Sequence, residues 1–280
     1  MYDFSIGVIL ESFRTDITSA IKKAADLGAQ GIQVYSTYGD MSPDNLTETK
    51  KKEFVDIVKS HGLTISALCG DLGHGFGNTE KNPQLIQHSK KILHLAKELG
   101  TDIVTTHIGV VPKDPNHHRY KIMQEACFEL SSYADSLQAH FAVETGPEPA
   151  AVLKGFLDSL HSKGVAVNLD PANLVMVTGD DPAAAVYILK DYIVHTHAKD
   201  GRRLLVKDPE IIYGLLEDEI KSGNAFVELP LGKGDVDFKN YLKALDEIGY
   251  KGFLTIEREV GENPGADIKL AVDFLKAHMK

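Results

Sequence analysis

A motif that joins the end of a helix to the start of a strand through a glycine recurs four times along the chain. The segments "AADLGAQGIQVYS", "AKELGTDIVTTH", "LHSKGVAVNLD" and "LDEIGYKGFLTIE" each contain a helical tail, a glycine, a short gap and an apolar run. Their glycines are Gly28, Gly100, Gly164 and Gly249. A glycine at such a place is typical of a helix C-terminal cap with positive φ. Repetition of this motif indicates βα units and a parallel sheet.

Eight strands are predicted to alternate with eight helices. The strands are expected at residues 4–10, 31–36, 64–70, 102–109, 140–146, 165–170, 192–198 and 252–258. The helices are expected at residues 16–27, 45–61, 83–99, 118–138, 149–162, 181–190, 237–248 and 264–279. This series predicts an α/β fold of the (βα)8 TIM-barrel type, with residues 1–280 in a single domain. A doubly wound open sheet is the alternative, but no glycine-rich dinucleotide turn follows the first strand.

The charge balance and the cysteines restrict the partners and the compartment. The formal net charge is −10, which opposes nucleic acid as a partner. No apolar run approaches the ~20 residues of a membrane helix, and the start "MYDFSIGVIL" lacks the basic region of a signal peptide. Cys69 and Cys127 have no metal-type spacing, so we expect reduced thiols in a cytoplasmic protein.

Four successive strands each end in a side chain that can bind a metal ion. Catalytic groups of a barrel lie at the C-terminal ends of its strands. The residues at the ends of strands five to eight are Glu144, Asp170, His197 and Glu257. Because these ends meet at one rim, the pattern predicts a divalent-metal site. Three carboxylates and one imidazole suit Mn²⁺ first, with Mg²⁺, Co²⁺ or Zn²⁺ as alternatives.

Two neighbours of these residues leave the ligand set open. Glu259 is an alternative to Glu257, although it lies two residues further from the strand. His195 faces the same way as His197 because alternate residues of a strand share a face, but it lies deeper. We expect His195 to support the metal ligands from within the core.

A further set of polar residues lies near the same rim. His107 ends strand four and either contacts substrate or is hydrogen-bonded in the barrel mouth. Asp71 and His74 belong to the glycine-rich segment "CGDLGHGFGN", which is either a loop that closes over a ligand or a plain turn. Lys199 and Asp200 are expected to orient the ligands or bind substrate hydroxyls, and a surface ion pair is the alternative.

Together these residues resemble the xylose-isomerase-like barrel superfamily of sugar isomerases and epimerases. The resemblance covers essentially the whole chain, and its most specific pieces are "VETG", "NLDPANL", "VHTHAKDG", "PLGKGDVDF" and "TIERE". The superfamily includes ketose 3-epimerases, inosose dehydratase, 3-dehydroshikimate dehydratase and endonuclease IV. The motifs are specific for the superfamily and do not select one activity.

The resemblance implies roles for particular residues. The implied metal ligands are Glu144, Asp170, His197 and Glu257. Glu144 and Glu257 would also exchange protons with the substrate. Arg203, six residues after the ligand histidine, occupies a substrate-binding position, with Arg202 beside it. Asn173 stands where the epimerases have a substrate-binding histidine. His107 and Lys199 complete the expected substrate contacts.

The implied function is a metal-dependent isomerase or epimerase that acts on a ketose or related polyol ketone through an enediolate. The implied partners are a small sugar and further copies of the chain, in a dimer or tetramer. A dehydratase of the inosose or dehydroshikimate type and a non-catalytic sugar-binding barrel are alternatives. An endonuclease IV-like phosphodiesterase is less consistent, because that family has histidine in place of Asn173 and Asp and His where this chain has Phe226 and Glu228.

Overall fold

Eight parallel strands form a closed barrel in the computed structural model, which describes residues 2–218 and 223–280. The barrel strands are β1 (Ser5–Ile9), β2 (Gly31–Tyr35), β3 (Thr64–Cys69), β4 (Ile103–Thr106), β5 (His140–Glu144), β6 (Val165–Leu169), β7 (Ile193–Ala198) and β10 (Phe253–Ile256). Each strand pairs with the next in chain order, and β10 closes the ring by pairing with β1 and β7. The predicted α/β fold of the (βα)8 TIM-barrel type is confirmed.

Helices surround the barrel and follow its strands in the expected order. They are α1 (Ile17–Leu27), α2 (Glu48–Ser60), α3 (Asn82–Leu99), α4 (His118–Leu137), α5 (Ala150–Asp158), α6 (Pro171–Asn173), α7 (Pro182–Leu189), α8 (Pro209–Ile212), α9 (Phe238–Glu247) and α10 (Pro264–His278). The segments Leu10–Phe13 and Gly39–Met41 are 3₁₀ turns, and Leu174–Thr178 is a π-helical turn. None of the described helices combines the length and apolarity needed to cross a membrane.

Helix α1 shows how the local sequence sets the packing. Asp16 caps the helix by accepting a hydrogen bond from the Ser19 amide at 2.9 Å. Ala20, Ile21 and Ala24 recur at helical spacing and are fully buried. Burial of an isoleucine side chain stabilises the fold by about 1.5–3 kcal/mol, so this stripe holds α1 against the barrel.

Three of the four motif glycines cap helices and the fourth does not. Gly28, Gly100 and Gly249 have φ angles of 83°, 85° and 78°. The prediction for Gly164 is wrong, because α5 ends at Asp158 and the left-handed residue after it is His161, with φ 51°. A Cβ on Gly164 would lie 2.1 Å from the Ser131 carbonyl oxygen, so this glycine permits close packing of the chain against α4.

The longest interruption of the alternation lies between β7 and α9. It contains an antiparallel hairpin, β8 (Asp200–Arg203) with β9 (Phe226–Leu229), and the short helix α8. The segment "DPEIIYGLLEDEI" at residues 208–220 has helical spacing, but among its described residues only α8 is an α-helix, and residues 219 and 220 lie outside the described part of the chain. The eight strands predicted from the sequence do not include β8 and β9.

Asp200 fastens the end of this insertion to the barrel. Its Oδ1 accepts hydrogen bonds from the amides of Gly201 (2.9 Å) and Val236 (3.2 Å), and its Oδ2 accepts from those of Gly232 and Gly234 at 2.9 Å each. Gly232 has φ 80°, and a Cβ on Gly234 would lie 2.1 Å from Asp200 Oδ1. The motif "PLGKGDVDF" thus folds around this carboxylate, which does not face the barrel rim as a substrate ligand.

Replacement of Asp200 by alanine should lower the free energy of unfolding by about 1–3 kcal/mol, because it leaves buried amides without an acceptor. Urea denaturation of the wild type and the variant measures this difference. Asp246→Ala, on the exposed face of α9, is the control and should unfold like the wild type. Equal stabilities of the Asp200 variant and the wild type would show that this carboxylate does not hold the loop.

The two cysteines are buried and unpaired, as expected for reduced thiols. Burial raises the pKa of Cys127 to about 12. Cys127 packs within α4, whereas Cys69 ends β3 and contributes to the wall of the cavity described below. Neither thiol is therefore disposed to react as a thiolate at neutral pH.

Candidate active site and metal centre

The structure brings the four strand-end residues together at one point of the barrel mouth. They are Glu144, Asp170, His197 and Glu257, and all four are buried. One donor atom from each lies within 4.8 Å of the donor atoms of the other three. His197 Nδ1 is central, at 3.6 Å from both Glu144 Oε2 and Asp170 Oδ2 and 3.2 Å from Glu257 Oε2.

The donor set fits a divalent cation. Asp170 Oδ1 accepts a hydrogen bond from the Asn173 amide at 2.9 Å, but Oδ2 is buried and has no hydrogen-bond partner among the described residues. Burial raises the pKa of Asp170 to about 6, and the neighbouring His197 imidazole, 3.6 Å away, opposes that rise. Three carboxylates around one imidazole repel one another in a dry site, and a cation of charge two relieves that repulsion.

Gln33 orients the imidazole of His197. The Gln33 amide nitrogen donates to Thr105 Oγ1 at 3.0 Å, so its oxygen is turned toward the two histidines of β7. His195 Nε2 and His197 Nε2 lie 3.1 and 3.2 Å from this oxygen. When Nε2 of His197 donates to Gln33, the lone pair of Nδ1 faces the carboxylates, as metal ligation requires. His195 therefore lies beneath the cluster, as the sequence predicts.

Lys199 forms a buried ion-pair bridge beside the cluster. Its Nζ lies 3.0 Å from Glu257 Oε2 and 2.6 Å from Glu259 Oε2. Burial favours a raised pKa for Glu257, but Lys199 and His197 outweigh it and hold that pKa well below the usual range. Glu259 thus pairs with Lys199, while Glu257 is the member of the metal-type cluster. Lys199 is buried in the site wall, so the alternative of a surface ion pair is excluded for it.

A second group of polar side chains surrounds Glu144. Asn173 Nδ2 donates to Glu144 Oε1 at 2.8 Å, and Asn168 Nδ2 donates to Oε2 at 3.3 Å. His107 Nε2 lies 3.7 Å from Glu144 Oε1, and its Nδ1 lies 3.1 Å from Asp71 Oδ2. Burial opposes protonation of His107, but Glu144 and Asp71 raise its pKa to about 9. The position of His107 between two carboxylates therefore favours its protonated form.

These groups face a cavity of about 250 Å³. Its lining residues are Gln33, Tyr35, Cys69, Asp71, Thr105, Thr106, His107, Glu144, Asn173, Val177, His197, Lys199, Ile212, Tyr213, Phe226, Glu257 and Glu259. The β7–α9 insertion contributes Ile212, Tyr213 and Phe226, and the rings of Tyr213 and His107 have centroids 6.4 Å apart. A cavity of this size suits a small molecule.

Three of the sequence candidates lie outside this cavity. Arg203 Nη2 donates to the Val177 carbonyl at 2.8 Å, so substrate binding by Arg203 stays a prediction. Arg202 Nε donates to Asp235 at 2.9 Å. His74 is exposed, although Asp71 from the same loop lines the cavity.

Asn168 and the apolar wall were missed by sequence reasoning. Asn168 is the lone polar residue of the buried strand β6, "VAVNL", and that break in the apolar pattern is its signal. Tyr213 and Phe226 carry no comparable signal, because their place depends on the fold of the insertion.

The closed parallel barrel thus carries at its mouth a buried cluster of three carboxylates and one imidazole that could hold a metal ion. The chain belongs to the xylose isomerase-like TIM barrel family, whose profile matches residues 21–278.

Relatives in this family carry out different reactions. L-ribulose-5-phosphate 3-epimerase UlaE of Escherichia coli is 21% identical over 259 residues, which cover 89% of this chain and 84% of the relative. Inosose dehydratase of Lacticaseibacillus casei is 28% identical over 120 residues, which cover 43% of this chain and 39% of the relative. A xylose isomerase domain protein from Planctomyces limnophilus superposes with a TM-score of 0.78 at 24% identity, with 98% of this chain and 96% of the other covered.

Proposed function

We propose that the protein is a divalent-metal-dependent sugar isomerase or epimerase that acts on a ketose or related polyol ketone by proton transfer through an enediolate. The observation that carries the proposal is the placement of Glu144 and Glu257. Their carboxylates lie on β5 and after β10, within 3.6 and 3.2 Å of the same His197 nitrogen, and both line one cavity. Membership of the xylose isomerase-like TIM barrel family and the similarity to L-ribulose-5-phosphate 3-epimerase support it.

The residues that would hold the metal ion are Glu144, Asp170, His197 and Glu257. When bound, Mn²⁺ or a similar ion acts as a Lewis acid that acidifies the carbon next to a carbonyl. Mn²⁺ is our first choice because oxygen donors dominate the set, and Mg²⁺, Co²⁺ or Zn²⁺ are the alternatives.

Two carboxylates from different strand ends, those of Glu144 and Glu257, can share the proton transfers. One removes the proton from the carbon next to the carbonyl, and the other returns a proton. If the proton returns to the opposite face of the same carbon, the configuration of that carbon is inverted, which is epimerisation. If the proton returns to the neighbouring carbon, the carbonyl group moves, which is isomerisation. The cations of His107 and Lys199 stand beside these carboxylates and would stabilise the negative charge that develops on the substrate oxygens. Asn173 would keep Glu144 in place for this transfer.

Dehydration is the second candidate, and the same two cations favour it. After removal of the proton next to the carbonyl, a protonated His107 or Lys199 can give its proton to a β-hydroxyl. The carbon–oxygen bond then breaks, and water leaves as the carbon–carbon double bond forms. The match to inosose dehydratase supports this outcome.

An endonuclease IV-like activity has less support. Glu228 accepts a hydrogen bond from Arg258 Nη1 at 2.6 Å, and Asn173 binds Glu144, so neither residue adds to a multi-metal set. We retain the small sugar, the absence of a nucleic-acid partner and a homodimer or homotetramer as predictions.

Incubation with a panel of ketoses in D₂O and Mn²⁺ tests the proposal. We expect deuterium at one carbon of one ketose, with an epimer or isomer as product, and loss of exchange when EDTA removes the metal. An unsaturated product with loss of a hydroxyl would assign the dehydratase instead. If the protein binds Mn²⁺ and neither exchange nor product forms with any ketose, the sugar-binding alternative replaces the enzyme.

A further inference from the structure

The cations around the cavity are already neutralised by neighbouring groups. Lys199 is the sole lysine or arginine among the described residues of the wall, and it is shared between Glu257 and Glu259. His107 lies between Asp71 and Glu144. A phosphate group that entered the cavity would meet carboxylates in excess of these cations.

Three arginines of the surrounding loops lie outside the cavity wall and donate to other groups. Arg203 Nη2 donates to a carbonyl oxygen of the π-helical turn, although its buried Nε has no hydrogen-bond partner among the described residues, and Arg202 pairs with an aspartate of the insertion. Arg119 at the start of α4 pairs with Glu210 of α8. None of these three guanidinium groups belongs to the described cavity wall.

Three amides in the loops that bind phosphate in many βα barrels donate in this chain to its own carboxylates. Such sites use backbone amides in the loops after the seventh and eighth barrel strands. After β7, the amides of Gly232 and Gly234 donate to Asp200. After β10, the amide of Glu259 donates to Glu228 Oε1 at 3.1 Å. These amides therefore have no free hydrogen for a phosphate oxygen.

Part of the cavity wall is apolar. It is formed by Val177 and by three residues of the β7–α9 insertion, Ile212, Tyr213 and Phe226. Carbon–hydrogen faces of a polyol pack well on such side chains, whereas a phosphate would lose its hydration there.

We propose that this site takes an uncharged polyol ketone and discriminates against the corresponding phosphate ester. The inference rests on the proposed function, because it concerns the substrate of that same site. The Glu259 carboxylate is the specificity-determining group in this proposal, because it neutralises the lysine that would otherwise attract an anion.

Isothermal titration calorimetry on the Mn²⁺-loaded protein tests the inference with matched ligands. The pairs are D-fructose with D-fructose 6-phosphate and L-ribulose with L-ribulose 5-phosphate, and inorganic phosphate measures direct binding to the metal. We expect a free ketose to bind at least about tenfold more tightly than its phosphate, which corresponds to ~1.4 kcal/mol. A phosphate ester that binds more tightly than its free sugar, or no binding by either free sugar, overturns the inference.

The variant Glu259→Gln tests the assigned cause. It should reduce the preference for the free ketose at least threefold, because Lys199 then loses one of the two carboxylates that neutralise its charge. Asp235→Asn makes the same change of charge at an exposed pair outside the cavity and should keep the wild-type preference. Equal preferences in the two variants would remove Glu259 from the explanation.

Together with the turnover assay in D₂O, the titration distinguishes failure of the proposed reaction from failure of the inference on substrate charge. If no ketose is turned over while the free sugars still bind preferentially, the proposed reaction fails and the inference on substrate charge stands. If turnover is found and the phosphate ester is the better ligand, the reaction stands and the inference fails.

Discussion

Replacement of Glu144 by glutamine should lower kcat by about 10²–10⁴-fold on whichever ketose proves to be the substrate. Glutamine has the shape of glutamate and keeps an oxygen for the Asn173 amide, which donates to Glu144 Oε1 at 2.8 Å. It cannot accept a proton from carbon. The loss therefore reports proton transfer more directly than a truncation to alanine would.

Steady-state kinetics and metal analysis of the purified variant make this test. The variant also removes one charged metal ligand, which can lower the affinity for Mn²⁺. Mn²⁺ is therefore added to saturation, so that weaker metal binding is not mistaken for slower proton transfer. Glu129→Gln, in an exposed ion pair with Lys90 on the outer face of α4, is the matched control and should keep wild-type kcat. A metal-saturated Glu144→Gln protein with more than a tenth of wild-type kcat would exclude Glu144 as an acid–base group.

The fold could be predicted because its signals are local. Apolar runs of strand length alternate with helical spacing, and Gly28, Gly100 and Gly249 mark the helix ends that precede strands. Eight such units in one chain leave few topologies. The insertion after β7 could not be predicted in the same way. The pairing of β8 with β9 joins segments more than twenty residues apart, and the hydrogen bonds of Asp200 to Gly232 and Gly234 hold its end.

The cluster could be predicted for a topological reason, whereas its surroundings could not. In a parallel barrel the C-terminal ends of all strands meet at one rim, so Glu144 and Glu257 must approach each other whatever the helices do. The direction of Arg203 depends instead on the register of the hairpin, in which it pairs with Phe226. The link of Gln33 to His197 crosses the barrel from β2 to β7, and no spacing within either strand indicates it.

Glu148 should have a large effect on how the free energy of unfolding depends on pH, because it is a buried acid outside the metal cluster. It follows β5 and is 3% exposed. Its Oε2 accepts a hydrogen bond from the Val111 amide at 3.0 Å, and its Oε1 has no hydrogen-bond partner among the described residues. Burial raises the pKa of Glu148 to about 8, although the Val111 amide and His107 act in the opposite direction.

The direction in which stability changes with pH follows from the pKa of Glu148 in the unfolded and in the folded protein. The unfolded chain releases the Glu148 proton near its ordinary pKa of 4.5, whereas the folded protein keeps it until about pH 8. Between these values the folded state binds more protons, so its stability falls as the pH rises. Each unit of pKa difference corresponds to about 1.4 kcal/mol, so the loss from this group between pH 5 and pH 8 is on the order of 3 kcal/mol.

The variant Glu148→Gln should abolish this loss, since an amide keeps the acceptor for Val111 and does not ionise. Urea denaturation at pH 5 and pH 8 should show the variant gaining on the order of 3 kcal/mol relative to the wild type as the pH rises. Because the wild type and the variant have the same metal ligands, comparing the two proteins at the same pH removes the contribution of those ligands to the difference in stability. Glu262→Gln, at an exposed position before α10, should follow the wild type at both pH values. Parallel pH profiles of the wild type and Glu148→Gln would mean that Glu148 is ionised in the folded protein, in conflict with its burial and its unpartnered oxygen.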